Sequence, residues 1–218
     1  MYKTTLVIII ILLPIFSFSQ GNNRTRQASC ASGSVSRLYI TPYIGAGGAN
    51  YIYDLNSTVM DADSVFYNEE SGKLFTPIAG INLMYSVGRG NLGGGLEWQG
   101  FVGKTDNGLF ETKQNMYLYK FYGRYEYKFY YDAFSDFGMF IEAGLHFPNN
   151  VHGDAPSMGP YFKAGLFYNM IINSTSSLLI GVDYQYTSFT SQIGGSVSNH
   201  VIQDMKISVG YRFWFKQY

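Results

Sequence analysis

Residues 116–129 read MYLYKFYGRYEYKF. Tyr117, Tyr119, Phe121, Tyr125, Tyr127 and Phe129 fall on one phase of a two-residue period, and Lys120, Arg124, Glu126 and Lys128 fall on the other. Successive side chains of a β-strand point to opposite faces, so this stretch predicts a strand with one aromatic face and one charged face.

The same alternation recurs on both sides of it. In residues 204–215, Met205, Ile207, Val209, Tyr211, Phe213 and Phe215 alternate with Asp204, Lys206, Ser208, Gly210 and Arg212. In residues 178–186, Leu178, Ile180, Val182, Tyr184 and Tyr186 alternate with Gly181, Asp183 and Gln185. Leu96 and Trp98 stand against Glu97 and Gln99. Ile141, Ala143 and Leu145 stand against Glu142 and His146. Leu166, Tyr168 and Met170 stand against Lys163 and Asn169. The pattern is weaker in residues 75–87 and weakest in residues 38–46. This predicts about eight strands of roughly ten residues, the length of a tilted membrane-crossing strand. Residues 54–73, 104–114, 148–160 and 190–199 form longer connections, and residues 88–91, 132–137 and 173–176 form short ones. Long and short alternate, as external loops and periplasmic turns do in outer-membrane barrels.

Composition agrees. Charged residues are 14% of the 218, aromatics 18%, with 20 Tyr and 17 Phe. An ordinary soluble domain is about 25% charged. The mean hydropathy of −0.04 is too low for a bundle of membrane helices and suits a chain that alternates. The formal net charge is zero, which gives no attraction for nucleic acid. A soluble β-sandwich also alternates, but it has no reason to gather aromatics near both ends of its strands. Here Phe75, Tyr117, Tyr119, Phe162, Tyr184 and Tyr186 lie toward one rim, and Tyr85, Tyr127, Phe129, Tyr211, Phe213 and Phe215 toward the other. They form two candidate girdles. The fold expected is all-β: a closed, antiparallel, up-and-down transmembrane barrel.

The N-terminus reads as a targeting segment. Lys3 precedes an apolar run, residues 6–16 (LVIIIILLPIF), and Ser17-Phe18-Ser19 offers small residues for cleavage. The run is too short to span a bilayer and is broken by Pro14. The domains expected are a signal peptide at 1–19, a flexible periplasmic leader at 20–36 and an outer-membrane barrel at 37–218; an uncleaved anchor is the alternative. Cys30 is the one cysteine, so no intrachain disulfide forms, and it stands too far from the apolar run for lipidation there.

On the signal peptide, the strand pattern and the ending YRFWFKQY, residues 38–218 resemble the small OmpA- and OmpX-like barrels, especially the outer-membrane β-barrel domain common in Bacteroidota. The resemblance implies that the barrel-assembly machinery reads the aromatics of the last strand, Tyr211, Phe213 and Phe215. Tyr218 is aromatic but out of phase with them. The resemblance identifies an assembly route, with outer-membrane lipid and lipopolysaccharide as surroundings, and no activity.

A barrel of about eight strands is filled by its own side chains. The inward phase carries Glu97, Glu126, Glu142, Asp183 and Asp204 against Lys120, Arg124, Lys128, Lys163, Lys206 and Arg212. Unpaired charges are costly away from water, so these predict an ion-paired plug; a selective ion path is the sharper alternative. Inward glycines (Gly45, Gly80, Gly93, Gly95, Gly144, Gly165, Gly181, Gly210) leave room for the long side chains, and equally for a ligand.

Motifs for chemistry are sparse. Residues 88–93 (GRGNLG) match a dinucleotide fingerprint, but between two strands rather than before a helix. His146, His152 and His200 fall near the expected external rim, where His146 or His200 with Ser157, Ser196 or Ser198 would make a nucleophile–base pair of the kind a lipid A-modifying enzyme needs. His146, His152 and Asp154 lack a recognised metal spacing. Asp54, Asp61, Asp63, Glu69 and Glu70 make an acidic first loop without the rest of a calcium loop. The leading expectation is a barrel with no catalytic or metal site and no cofactor, in a structural role or contacting an envelope or surface protein. The alternatives are a transport or secretion-associated barrel and a lipid A-modifying enzyme.

Overall fold

The computed structural model describes residues 38–56, 68–106, 111–151, 156–193 and 196–215. The signal peptide, the leader, Cys30, Asp61, Asp63, His152, Asp154 and Tyr218 lie outside them.

Eight antiparallel strands follow one another around a closed barrel: β1 (Leu38–Asn56), β2 (Asn68–Val87), β3 (Gly90–Asp106), β4 (Glu111–Tyr131), β5 (Ser135–Asn149), β6 (Gly159–Asn173), β7 (Ser176–Ile193) and β8 (Ser196–Trp214). β8 pairs with β1 and closes the ring, so no full-length edge is left to template aggregation. A walk across direct pairs runs Thr41, Asn82, Gly95, Tyr122, Gly144, Tyr161, Thr187, Ile202 and returns to β1 at Tyr51. The walk closes ten residues along the strand from its start, which is the stagger of the barrel and requires strands tilted by about 35–45°.

β2–β3, β4–β5 and β6–β7 are joined by tight turns at one end, here called the near end, where β1 begins and β8 stops. Gly88, in the first of these turns, has φ +62°, a conformation glycine adopts without strain. GRGNLG is therefore a hairpin turn, and no helix follows it.

Two expectations are corrected. The strands run 15–21 residues rather than about ten. Their far halves are polar on the outward face as well (Asn50, Lys73, Lys104, Lys113), so the hydropathy signal stops while backbone pairing continues into water. The connection expected over residues 190–199 is mostly strand: β7 reaches Ile193 and β8 starts at Ser196, so the strict alternation of long and short connections fails there.

Candidate functional site

The lumen is the most elaborately organised part of the molecule. β4 contributes Lys120, Tyr122, Arg124 and Glu126 to it, because its charged phase faces inward and its aromatic phase outward. Glu97, Lys120, Arg124, Glu126, Glu142, Lys163, Asp183, Asp204, Lys206 and Arg212 are all buried.

They form one connected chain. Near the turn end, the Glu126 carboxylate accepts from Arg212 Nη2 at 3.0 Å, Arg124 Nε at 2.9 Å, the Tyr39 hydroxyl at 3.0 Å and Asn91 Nδ2 at 2.9 Å. Arg124 also holds Glu142. Lys163 Nζ bridges Glu142 Oε2 at 2.7 Å and Glu97 Oε2 at 2.8 Å. Lys120 Nζ donates to Glu97 Oε1 at 2.6 Å, to Gln185 at 2.7 Å and to Gln99. Gln99 donates to Asp204 at 2.8 Å, and Lys206 Nζ closes the chain on Asp204 at 2.7 Å and Asp183 at 3.6 Å.

Sequence reasoning missed three elements of this lumen. Asp136, expected in a turn, lies on β5, points inward and pairs with Lys128 at 3.0 Å. Among the described residues the inward acids are then Asp136, Asp183, Asp204, Glu97, Glu126 and Glu142, six against the six bases. The second element is tyrosine. Tyr43 donates to Glu97 at 2.8 Å and meets the Tyr122 hydroxyl at 2.8 Å, and Tyr122 donates to Asn82 at 2.5 Å. Tyr122 shares the phase of Lys120 and Arg124, which was the available signal.

The third is apolar. On the far side of the charges, Tyr51, Leu74, Phe101, Met116, Leu118, Phe189 and Ile202 pack together with Ala49 and Tyr53 inside the barrel. Toward the near end, Phe140, Phe167 and Leu179 form a second cluster, and the Arg124 guanidinium lies 3.7 Å from the Phe140 ring centroid. These two apolar clusters flank the charged chain, and away from bulk water Coulomb attraction and hydrogen bonding are stronger.

The candidate histidine–serine pairs do not form as expected. Ser157 Oγ meets Thr190 Oγ1 at 2.9 Å, and Ser198 Oγ meets the Tyr53 hydroxyl at 3.2 Å. The side chain of Ser196 is outside the description. Instead His200 Nε2 lies 2.8 Å from Ser191 Oγ and its Nδ1 2.7 Å from the Tyr51 hydroxyl, one nitrogen donating and the other accepting when the ring is neutral, and the ring stacks on Phe189. All four side chains are buried in the lumen wall. His146 is buried beside Phe189. Among the described residues no cluster of three or more His, Cys, Asp or Glu has metal-binding geometry.

The girdle residues point outward. Phe75, Tyr85, Tyr119, Phe129, Phe162, Tyr184, Tyr186, Phe213 and Phe215 are exposed. Tyr117, Tyr127 and Tyr211 are half-buried, each against an aromatic two residues along its own strand. Ile44, Ile81, Leu96, Ile141, Leu166 and Ile207 occupy the exposed band between the two aromatic levels. In the β4–β5 turn, Asp132 accepts from the Tyr130 hydroxyl at 2.6 Å and from the backbone N–H groups of Phe134 at 2.8 Å and Ser135 at 2.7 Å. These bonds, the Tyr130 hydroxyl's first, hold its carboxyl below the usual aspartate value.

No protein-family profile matches the chain, and no curated protein matches it. Solved structures do. The outer membrane protein OprG from Pseudomonas aeruginosa aligns with a TM-score of 0.50 at 12% identity, over 85% of this chain and 99% of that one. Outer membrane protein AlkL gives 0.49 at 12% identity, over 86% and 94%. Neisserial surface protein A gives 0.46 at 15% identity, over 80% and 97%. At such identity the likeness to OprG speaks to fold alone, and on that fold the chain is an eight-stranded up-and-down barrel of the kind found among bacterial outer-membrane proteins.

Proposed function

We propose that this protein is a non-conducting outer-membrane barrel that serves the envelope as a rigid structural element and acts through its outward wall and far-end loops. The observation that carries the reading is the lumen: each of the six acids and six bases stands in an ion pair with another, Tyr43, Gln99 and Gln185 add hydrogen bonds, and an apolar cluster lies on the far side. A hydrated path would need charges free to exchange partners with water, and here every lumen charge is already held in an ion pair. The outward wall supports the membrane placement, because exposed aliphatic residues between two aromatic levels follow the order of polarity across a bilayer. The near end then faces the periplasm and the far end the exterior. Tyr211, Phe213 and Phe215, outward at the end of β8, suit recognition by the assembly machinery. The Ser191–His200 pair is a weak basis for hydrolysis, since both groups are enclosed in the wall.

Swelling of proteoliposomes tests the reading. Vesicles carrying the folded barrel are expected to resist swelling in small sugars and amino acids as protein-free vesicles do. Rapid swelling would overturn the sealed lumen.

A further inference from the structure

The wall is not equally tall all round. β5 and β6 have 15 residues each, whereas β4 has 21 and β7 has 18. Pairing of β4 with β5 ends at Tyr117 and Asn149, and pairing of β6 with β7 ends at Tyr161 and Thr187. Above β5 and β6 the far rim therefore has a notch, with β4 on one side and β7 on the other.

Two prolines set its floor. The Phe121 and Tyr127 carbonyls of β4 lie against glycines of β5, so the odd-numbered residues of β4 turn their N–H and C=O groups toward β5. Odd residues of β5 then face β4 and even ones face β6, where Pro148 has no N–H to give. The Val182 and Ser188 carbonyls of β7 lie against glycines of β6, so even residues of β6 face β7, and Pro160 has no N–H to give there. A proline ends a ladder on the side its nitrogen faces.

The two sides of the notch differ. On β7, Ser157 stands in for the missing strand: its N–H donates to the Thr190 carbonyl at 2.8 Å, and its Oγ accepts from the Thr190 N–H at 3.0 Å. On β4, residues 111–116 have β3 on one side and no strand on the other. The backbone groups of residues 111, 113 and 115 face the notch. Among the described residues only the Asn115 carbonyl is taken, by Asn150 Nδ2.

Unpaired N–H and C=O groups along an edge are a template for one more strand. Lys113 decides which strand. Its side chain is exposed on the outward face in the middle of the edge. A lysine there deters a neutral or basic strand and favours one that sets a carboxylate directly opposite. At the membrane end of the edge, Met116 is buried in the far-side apolar cluster, against which Val151 also packs. An added strand turns alternate side chains toward that surface.

We propose that the β4 edge over residues 111–116 docks an extended polypeptide segment of an extracellular partner. The segment adds antiparallel to β4, in line with β5, apolar toward the lumen and acidic opposite Lys113. The inference deepens the reading of a barrel that acts through its far end, and rests on it for which end lies outside. A second copy of the chain fits less well. Two β4 strands in one membrane both run inward from the exterior, so their edges cannot pair antiparallel.

The test uses the full chain, isotope-labelled for NMR in nanodiscs. It is titrated to millimolar with the peptide acetyl-Val-Thr-Val-Glu-Val-Thr-amide, whose glutamate falls opposite Lys113 when its first valine faces Met116. The amides of residues 113 and 115 are expected to gain protection from hydrogen exchange, while those of 114 and 116, which face β3, keep the protection they have. A peptide with lysine in place of the glutamate should bind about fivefold more weakly, about 1 kcal/mol for exchanging attraction for repulsion, and Lys113→Glu should reverse that order. Asn115→Pro removes one N–H from the edge and leaves the β3 ladder intact, so it should abolish the protection at 113. Insertion of each variant is scored by gel mobility without boiling, and Lys113→Glu supplies the test if the proline variant does not insert. No added protection at 113 and 115 overturns the proposal. Protection that survives Asn115→Pro, or a peptide-independent dimer through these amides, overturns it as well. Swelling of vesicles with peptide binding intact would contradict the sealed-barrel reading alone, whereas a sealed barrel whose edge takes no peptide would contradict this proposal alone.

Discussion

Replacing Glu97 by glutamine keeps the side chain's shape and removes one charge from the centre of the lumen. Glu97 is fully buried and accepts from Lys120 at 2.6 Å, Lys163 at 2.8 Å and the Tyr43 hydroxyl at 2.8 Å. After the change Lys163 keeps Glu142 at 2.7 Å, but Lys120 is left with the amide oxygens of Gln99 and Gln185. The inward charges become five acids against six bases, starting from the six pairs of the native lumen. Removing one partner of a buried ion pair costs about 3–5 kcal/mol, and the partner retained by Lys163 sets the expectation at the lower end, about 3 kcal/mol. That is a shift of somewhat over a hundredfold in the folding equilibrium. The double change Glu97→Met with Lys120→Met removes both charges and should cost far less than the single one, because no uncompensated ion remains. Urea unfolding of the barrel in phospholipid vesicles, followed by tryptophan fluorescence and by gel mobility without boiling, measures both. A Glu97→Gln barrel within about 0.5 kcal/mol of wild type, the size of an ordinary surface change, would refute the claim that these charges are held dry and paired.

Depth in the bilayer is tested by arginine: Ile207→Arg, in the middle of the outward band of β8, should cost about 2–4 kcal/mol in the same unfolding assay, and Val197→Arg, on the outward face of its far extension, about 0–1 kcal/mol. Equal costs at the two positions would contradict the placement of the bilayer. Gly144→Val should prevent recovery of the heat-modifiable band, since its Cβ falls 2.1 Å from the Phe121 carbonyl oxygen, whereas Gly123→Ala should leave the band intact. The depressed Asp132 carboxyl makes a contribution to stability that is complete above the unfolded aspartate value near pH 3.9. It is lost as the pH falls through the lower folded value. Carbon NMR of the Asp132 carboxyl should show a midpoint below about 3.9, and Tyr130→Phe should raise it; a midpoint above that value would remove the hydrogen-bond account of the turn.

The parts of the fold that can be read in the sequence are those where the two faces of a strand meet different surroundings. β4 and β8 alternate cleanly because their inward residues are charged and their outward residues meet an apolar phase. β1 and β2 are faint for a physical reason. Inside they carry Tyr39, Tyr43, Tyr51, Leu74, Ile78 and Met84, so both faces are apolar and the period disappears. The same property hid the far-side cluster, which the proposed function takes as the lumen's seal. Asp136 was obscured by its neighbours: Asp132 and Ser135 read as a turn, and the hydrogen bonds of Asp132 do form one, but it ends just before Asp136 enters β5. Which lumen charge pairs with which followed from register and stagger, which alternation alone does not specify.

The central claim is that the lumen carries no continuous aqueous path, and current across a planar bilayer measures that most directly. Folded barrel added at concentrations that insert many copies should leave the membrane at its background conductance in molar salt at either polarity. The near-end ion cluster and the far-side apolar cluster would each have to open for ions to pass. Discrete, long-lived steps of uniform size from the wild-type chain would contradict the account.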